Sequence, residues 1–240
     1  MERRLRHVSL SFLALILVLT PCLGKDSSGI IKRREQNTIS LELEFTKRNP
    51  NAFQRVISFL NWGPNGYATG FLVGDHLVMT AYHVVSGDLD ESKKLSLGFS
   101  RSDQLEARVY TNGCQAKVLK IDPAADLALL EVCGLSKQTS APSFQLNMDK
   151  DEKVLLIARP HGDRVVSRGT FFGPYALKGL DYWSLKITAR DGFSGSPVYN
   201  EKGEVVGVFS GYDWSQRLAV VSPSARAEKL LEDYRSSIQP

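Results

Sequence analysis

The stretch Asp191-Gly192-Phe193-Ser194-Gly195-Ser196-Pro197-Val198 sets a condition that the rest of the chain has to meet. A serine sits between glycines, on a turn that leads into the apolar run Val198-Tyr199, a second turn at residues 200–203, and the run Val205-Val206-Gly207-Val208-Phe209. Gly192 and Gly195 allow positive φ and a close approach of another backbone. A turn of this kind can aim the N–H groups of Gly192 and Ser194 at one point beside the Ser194 hydroxyl, which is the geometry of an oxyanion hole. A serine hydroxyl is a poor nucleophile until a base takes its proton. A chemical turn therefore obliges the fold to deliver an imidazole and a carboxylate from elsewhere. An ordinary Gly/Ser turn between strands makes no such demand.

The surrounding pattern is β. Thr69–Val73, His76–Thr80, Ala116–Ile121, Leu127–Val132, Val154–Ala158, Val165–Phe172, Trp183–Thr188, Val205–Phe209 and Leu218–Val221 read as short strands punctuated by turn residues, with Val56–Leu60 before them and weak alternation over Gly98–Val109. Gly74-Asp75 is a tight hairpin turn, and Asp122-Pro123-Ala124-Ala125 separates two strands. Residues 134–147 are rich in Ser, Pro and Gln and read as a linker between two blocks. Ala225–Tyr234 has helical spacing after Ser222-Pro223-Ser224. Many short strands in two blocks with a closing helix predict an all-β chain of two antiparallel barrels.

Residues 1–24 read as a secretory signal peptide: Arg3, Arg4 and Arg6, then an apolar core over Leu10–Leu19, then Pro21-Cys22-Leu23-Gly24 before Lys25. The core is too short to span a bilayer, so no membrane span is expected once the signal is removed, and a secreted or periplasmic location follows. Cys22 as a lipid anchor is disfavoured by Pro21. Of the formal net charge of +4, about +2 remains without residues 1–24, and no basic stripe points to nucleic acid. Residues 25–52 stand as a propeptide, a spacer or an extra strand over Ile39–Phe45. No Cys-x-x-Cys or His/Cys cluster suggests a metal, and no cofactor is implied. Cys114 and Cys133 are an even pair in an exported chain and lie at the open ends of the hairpin formed by residues 116–121 and 127–132, which points to a disulfide worth roughly 3 kcal/mol in the chain-entropy model; two buried thiols are the alternative.

Three histidines follow the signal segment. His83, in Met79-Thr80-Ala81-Tyr82-His83-Val84-Val85, follows a strand end and can project into a cleft. His76 falls in a hairpin turn, and His161 in the loop Arg159-Pro160-His161-Gly162-Asp163. Asp126 opens the buried strand Leu127–Val132, where an acid is costly unless it is hydrogen-bonded; an imidazole N–H suits it. Asp122 competes, but the apolar run begins after Asp126.

Taken together, these segments resemble the trypsin/chymotrypsin-type serine peptidases. Thr80-Ala81-Tyr82-His83 resembles the family's Thr-Ala-Ala-His, Asp126-Leu127-Ala128-Leu129-Leu130 its Asp-Ile-Ala-Leu-Leu, and Gly192-Phe193-Ser194-Gly195-Ser196-Pro197 its Gly-Asp-Ser-Gly-Gly-Pro. The order His, Asp, Ser is that family's order and differs from that of the α/β-hydrolases and subtilisins. The bacterial exported branch, HtrA-type and glutamyl-endopeptidase-type, is most similar; a PDZ domain is not expected, and no oligomeric state follows. The resemblance implies two six-stranded antiparallel β-barrels over residues 53–138 and 148–222, a helix over 224–236, and an endopeptidase acting on protein or peptide substrates. It implies His83, Asp126 and Ser194 as the triad, the N–H groups of Gly192 and Ser194 as the oxyanion hole, and Thr188, Ala189, Ser210, Gly211 and Tyr212 around a shallow uncharged specificity pocket that prefers small or aliphatic side chains. Phe193 stands where zymogen-activated relatives carry an acid, so that activation switch is not expected, and a bulky Phe193 threatens to disturb the hole. A second reading is a protease-fold protein that binds or adheres without cutting.

Overall fold

The computed structural model describes residues 27–50, 63–134, 141–177 and 179–238. The signal segment with Cys22, the strand expected over Val56–Leu60 and part of the expected linker lie outside the described residues. The order of elements is α1 (Ser27–Arg34), β1 (Thr38–Lys47), β2 (Gly66–Gly74), β3 (Leu77–Thr80), α2 (His83–Ser86), α3 (Glu91–Ser96), β4 (Leu105–Thr111), β5 (Cys114–Gln115), β6 (Lys117–Asp122) and β7 (Leu127–Glu131) in the first half. The second half has β8 (Lys153–Ala158), β9 (Val165–Leu177), β10 (Leu180–Lys186), β11 (Pro197–Tyr199), β12 (Val205–Asp213), β13 (Leu218–Pro223) and α4 (Ser224–Ile238).

The first half is one antiparallel sheet in the order β5-β4-β1-β2-β3-β7-β6, and the second is a closed barrel in the order β10-β13-β12-β11-β8-β9. The expected two-barrel, chymotrypsin-like architecture with a C-terminal helix is the one found. Its first half differs in detail from a closed six-stranded barrel: among the described residues it has seven strands, and no ladder joins β5 to β6. What brings the two edges together is covalent. Only Ala116 separates β5 from β6, and its N–H is held by the Val109 carbonyl at 2.8 Å. The Cys114–Cys133 disulfide, with Cα atoms 6.1 Å apart, ties edge strand β5 to the end of β7.

Of the possibilities for residues 25–52, the strand is the one observed for their second half. β1 is an inner strand of the sheet, paired with β2 from Thr38↔Phe71 to Leu43↔Gly66 and with β4 from Glu42↔Tyr110 to Lys47↔Leu105. A boundary at residue 52 thus does not separate an appended extension from the domain. The segment before β1 also crosses to the second half. Ile30 of α1 is buried among Tyr199, Val205, Leu230 and Leu231, Arg34 Nε donates to the Gly203 carbonyl at 2.8 Å, and Arg159 donates to the Glu35 carbonyl at 3.1 Å.

Three apolar clusters hold the molecule. One fills the first sheet, with Leu41, Leu72, Val78 and Leu130 among its members. Another fills the barrel, with Leu156, Phe171, Leu185 and Val206. The third lies between the halves and is closed by Ala227, Leu230 and Leu231 of α4. This arrangement explains why β7 and β8 read as continuous apolar runs instead of alternating ones. Leu127 and Leu129 face the central cluster while Leu130 faces the first sheet; Leu155 and Ile157 face the central cluster while Val154 and Leu156 face the barrel. With both faces buried, neither strand has a solvent side for polar residues to occupy.

Candidate active site

His83 opens the single helical turn α2 just beyond β3, Asp126 sits in the turn between β6 and β7, and Ser194 lies in the turn between β10 and β11. The two halves thus contribute unequally: imidazole and carboxylate from the first, hydroxyl from the second. Asp126 adopts a left-handed φ of 52°, a conformation that Asp tolerates better than most residues. Its backbone carbonyl accepts the Tyr82 N–H at 3.0 Å, and its Oδ1 accepts the His83 backbone N–H at 2.9 Å. The carboxylate is therefore locked to the segment that carries the imidazole before the ring itself is considered.

The ring completes the relay. His83 Nδ1 is 2.9 Å from Asp126 Oδ2 and 3.1 Å from Oδ1. An ionised carboxylate only accepts, so Nδ1 carries the proton and Nε2 is left as acceptor. Nε2 lies 2.8 Å from Ser194 Oγ, within reach for taking the hydroxyl proton. The Asp126 side chain is 16 % exposed and that of His83 38 %; the carboxylate is screened from water while the ring still borders the cleft. Neither His76, exposed in the β2–β3 turn, nor Asp122 enters this constellation; Asp122 instead faces Arg226 at 3.4 Å.

The serine turn is built around two glycines. At Gly192 the φ is 86° and an added Cβ would lie 2.6 Å from Pro160 Cβ. At Gly195 the φ is 80° and a Cβ would overlap Thr80 Oγ1 and the Thr69 carbonyl. The Phe193 N–H donates to the Arg190 carbonyl at 3.2 Å, which with positive φ at the third residue makes residues 190–193 a type II turn. The Phe193 carbonyl accepts the Ser196 N–H at 2.9 Å. Because the peptide is trans, the Ser194 N–H points the opposite way. Among the described residues, neither the Gly192 nor the Ser194 N–H is used by another protein group.

The concern over Phe193 is removed by its direction. The side chain is 2 % exposed and packs edge-on against Phe209 with centroids 6.3 Å apart, inside the barrel cluster. Burial of an aromatic ring contributes on the order of 2 kcal/mol. The position that would hold a buried acid and require a cationic partner is thus satisfied by apolar packing.

A cleft of about 740 Å³ runs past His83 and Ser194. Ala189, Ser210, Gly211 and Tyr212 of the expected specificity pocket line it, together with Gly192 and Phe209. Thr188 is not among these lining residues; it is exposed, while Ile187 beside it is buried in the barrel core at 4 % exposure. The lining includes His161, to which the sequence assigned no role; its ring meets that of Tyr67 at a tilt of 40° with centroids 3.9 Å apart, and a left-handed φ of 54° in Arg159-Pro160-His161-Gly162 puts it there. A second hollow of about 500 Å³, which also touches His83, is bounded by Tyr175, Leu177 and Tyr182. No group of three or more His, Cys, Asp or Glu side chains suited to a metal ion occurs among the described residues.

Comparison with known proteins bears on the family and the fold. Residues 68–208 match the model of the trypsin-like peptidase domain. The chain is 31 % identical over 173 residues to a probable periplasmic serine endoprotease, DegP-like, of Ectopseudomonas mendocina, covering 68 % of this chain and 31 % of that protein. It is 28 % identical over 169 residues to the magnetosome formation protease MamE of Paramagnetospirillum magneticum, covering 67 % of this chain and 22 % of that one. It therefore spans less than a third of the length of these curated relatives. Among solved structures, the active form of the Rv3671c protease from M. tuberculosis superposes with a TM-score of 0.60 at 19 % identity, over 85 % of this chain and 82 % of that one, a likeness of fold alone. With the family model spanning more than half of its residues and the two-barrel architecture in place, the chain belongs to the trypsin-like peptidase domain family.

Proposed function

We propose that the protein is an exported serine endopeptidase that hydrolyses peptide bonds through Ser194, His83 and Asp126. The observation that carries this reading is the unbroken line from Asp126 through the His83 ring to Ser194 Oγ, with contacts of 2.9 and 2.8 Å. Ser194 Oγ attacks the scissile carbonyl carbon while its proton passes to His83 Nε2. Asp126 holds the ring in the tautomer this needs and stabilises the imidazolium. The oxyanion is met by the N–H groups of Gly192 and Ser194, each worth about 3 kcal/mol in sites of this kind. Collapse breaks the C–N bond as His83 returns the proton to the leaving amine. Water, deprotonated by the same ring, then releases the acyl group and restores Ser194.

Export rests on the signal-like segment at residues 1–24, and the periplasmic naming of the DegP-like relative supports it. No helix among the described residues is long and apolar enough to cross a membrane. Substrates are proteins or peptides. The expected pocket residues Ala189, Ser210, Gly211 and Tyr212 carry no charge, and Asp191, which also lines the cleft, faces Lys93 at 3.3 Å; the pocket prefers small or aliphatic side chains, and a cleavage profile dominated by Lys, Arg or Glu refutes that preference.

A fluorophosphonate probe tests the reaction. The expected result is one label on the wild-type protein, on Ser194, absent from Ser194→Ala. A folded wild-type protein that takes no label overturns the enzymatic reading in favour of a protease fold that binds without cutting.

A further inference from the structure

Thr69, in the middle of β2, has no solvent exposure at all, yet every polar group it owns is engaged at the serine turn or its supports. Its hydroxyl donates to the Gly192 carbonyl at 2.8 Å and accepts the Arg159 N–H at 3.0 Å. Its N–H donates to the Ser194 carbonyl at 2.9 Å. Its carbonyl accepts the Thr80 hydroxyl at 2.8 Å. One side chain of the first half thus grips the nucleophile loop of the second half and the loop beyond β8 that backs it through Pro160.

Which donor this grip serves follows from the peptide geometry. The Ser194 N–H is already aimed by its own peptide, whose carbonyl is held by Ser196. The Gly192 N–H belongs to the peptide before it, and the Asp191 carbonyl has no backbone partner among the described residues. That peptide keeps its orientation only through the type II turn. The turn in turn depends on the Gly192–Phe193 peptide, whose N–H goes to Arg190 and whose carbonyl goes to the Thr69 hydroxyl. Type I and type II turns differ by a flip of the central peptide, and a glycine offers little resistance to that change.

We propose that Thr69 is a positioning residue whose hydroxyl keeps the Gly192 N–H aimed at the oxyanion, taking the place of the ion pair that Phe193 makes impossible. The inference rests on the peptidase reading of Ser194. It assigns to a buried residue of the first half the pre-organisation of a donor in the second, so that the hole stands ready in the folded chain without a cleavage event.

The test compares Thr69→Val, which keeps the shape and removes the hydroxyl, with Thr69→Ser, which restores both hydroxyl bonds. Thr69→Ala, with room for a bridging water, takes the place of Thr69→Val if the latter does not fold by near-UV circular dichroism. In peptide hydrolysis the hydroxyl-free variant is expected to lose about 10- to 100-fold in kcat, less than deletion of a whole oxyanion donor, with KM within about twofold. Inhibition by a peptide aldehyde, whose hemiacetal oxygen occupies the hole, is expected to weaken by the same factor, and Thr69→Ser to recover both. A folded Thr69→Val or Thr69→Ala with kcat and aldehyde affinity near wild type overturns the inference, as does a loss confined to KM or a Thr69→Ser that is equally impaired. A wild-type protein inert to the fluorophosphonate probe refutes the peptidase reading itself, whatever Thr69 does.

Discussion

Replacing both Cys114 and Cys133 with serine tests what closes the first half of the molecule. The disulfide joins residues 19 apart in sequence, and the chain-entropy relation for a loop of that length gives about 3 kcal/mol. Neither cysteine is in the core, Cys114 being half-buried and Cys133 exposed, so serine adds little desolvation cost and the entropic term dominates. For a chain of this size each kcal/mol moves the melting temperature by about 2–4 °C, which puts the expected fall at roughly 6–12 °C. Urea unfolding should show the midpoint falling by the equivalent amount. Activity below the transition should change less than twofold, because Asp126, though inside the closed loop, is held by the Tyr82 and His83 N–H groups at 3.0 and 2.9 Å. A double variant that melts within 1 °C of wild type, or a native oxidised protein that exposes two reactive thiols, rules out the disulfide as the closure of the first half.

Asp126→Asn keeps an acceptor for the His83 backbone N–H but favours the wrong imidazole tautomer, so kcat should drop by on the order of 10⁴ with the fold retained; a fall below tenfold in steady-state hydrolysis removes Asp126 from the relay. Ile30→Ala empties a site in the central cluster, at 6 % exposure, and should cost about 2–4 kcal/mol in urea unfolding with unchanged kcat; an unaltered midpoint means that α1 is not structurally attached. The Asp213 carboxyl is held down to about 2 by the Ser215 hydroxyl, then by the Tyr175 hydroxyl and the Gln216 N–H. A depressed carboxyl contributes order that is present above the ordinary carboxylate range and is lost as pH falls through its folded value. The Tyr175 ring resonances, bonded to Asp213 at 2.7 Å, should therefore stay put down to about pH 3 and move only near 2. A shift already complete at pH 4 contradicts the bonding, and Asp213→Asn should abolish it.

Much of this protein was legible in one dimension because its chemistry is tied to local geometry. The turn at Gly192–Ser196 needs glycine where φ is positive and where Pro160, Thr69 and Thr80 press close, and that requirement is visible in the residues themselves. So are the strand runs, because burial imposes a period of two or, between two clusters, none at all. The order of His83, Asp126 and Ser194, with the residues beside each, pointed to one family. The pairing of Cys114 with Cys133 followed from there being two cysteines at the ends of one hairpin.

Other features depend on contacts between residues distant along the chain, which leave no local trace. Ser27–Arg34 has the composition of a polar leader, and only the hollow beside Tyr199 and Leu230 makes Ile30 a core residue. Ile187 and Thr188 stand side by side after β10, and only packing inside the barrel makes Ile187 a core residue and leaves Thr188 exposed. The sequence places a bulky residue at Phe193, but whether its ring enters the oxyanion site or the barrel core is decided by the space left beside Phe209. Thr69 looks like any β-branched residue in a strand; it acquires a task only when β2 is laid against the serine turn more than a hundred residues away in sequence. Residue types and their spacing determined which groups could react. Packing of one half on the other decided where those groups point, because hydrogen bonds and burial act through space without regard to separation along the chain.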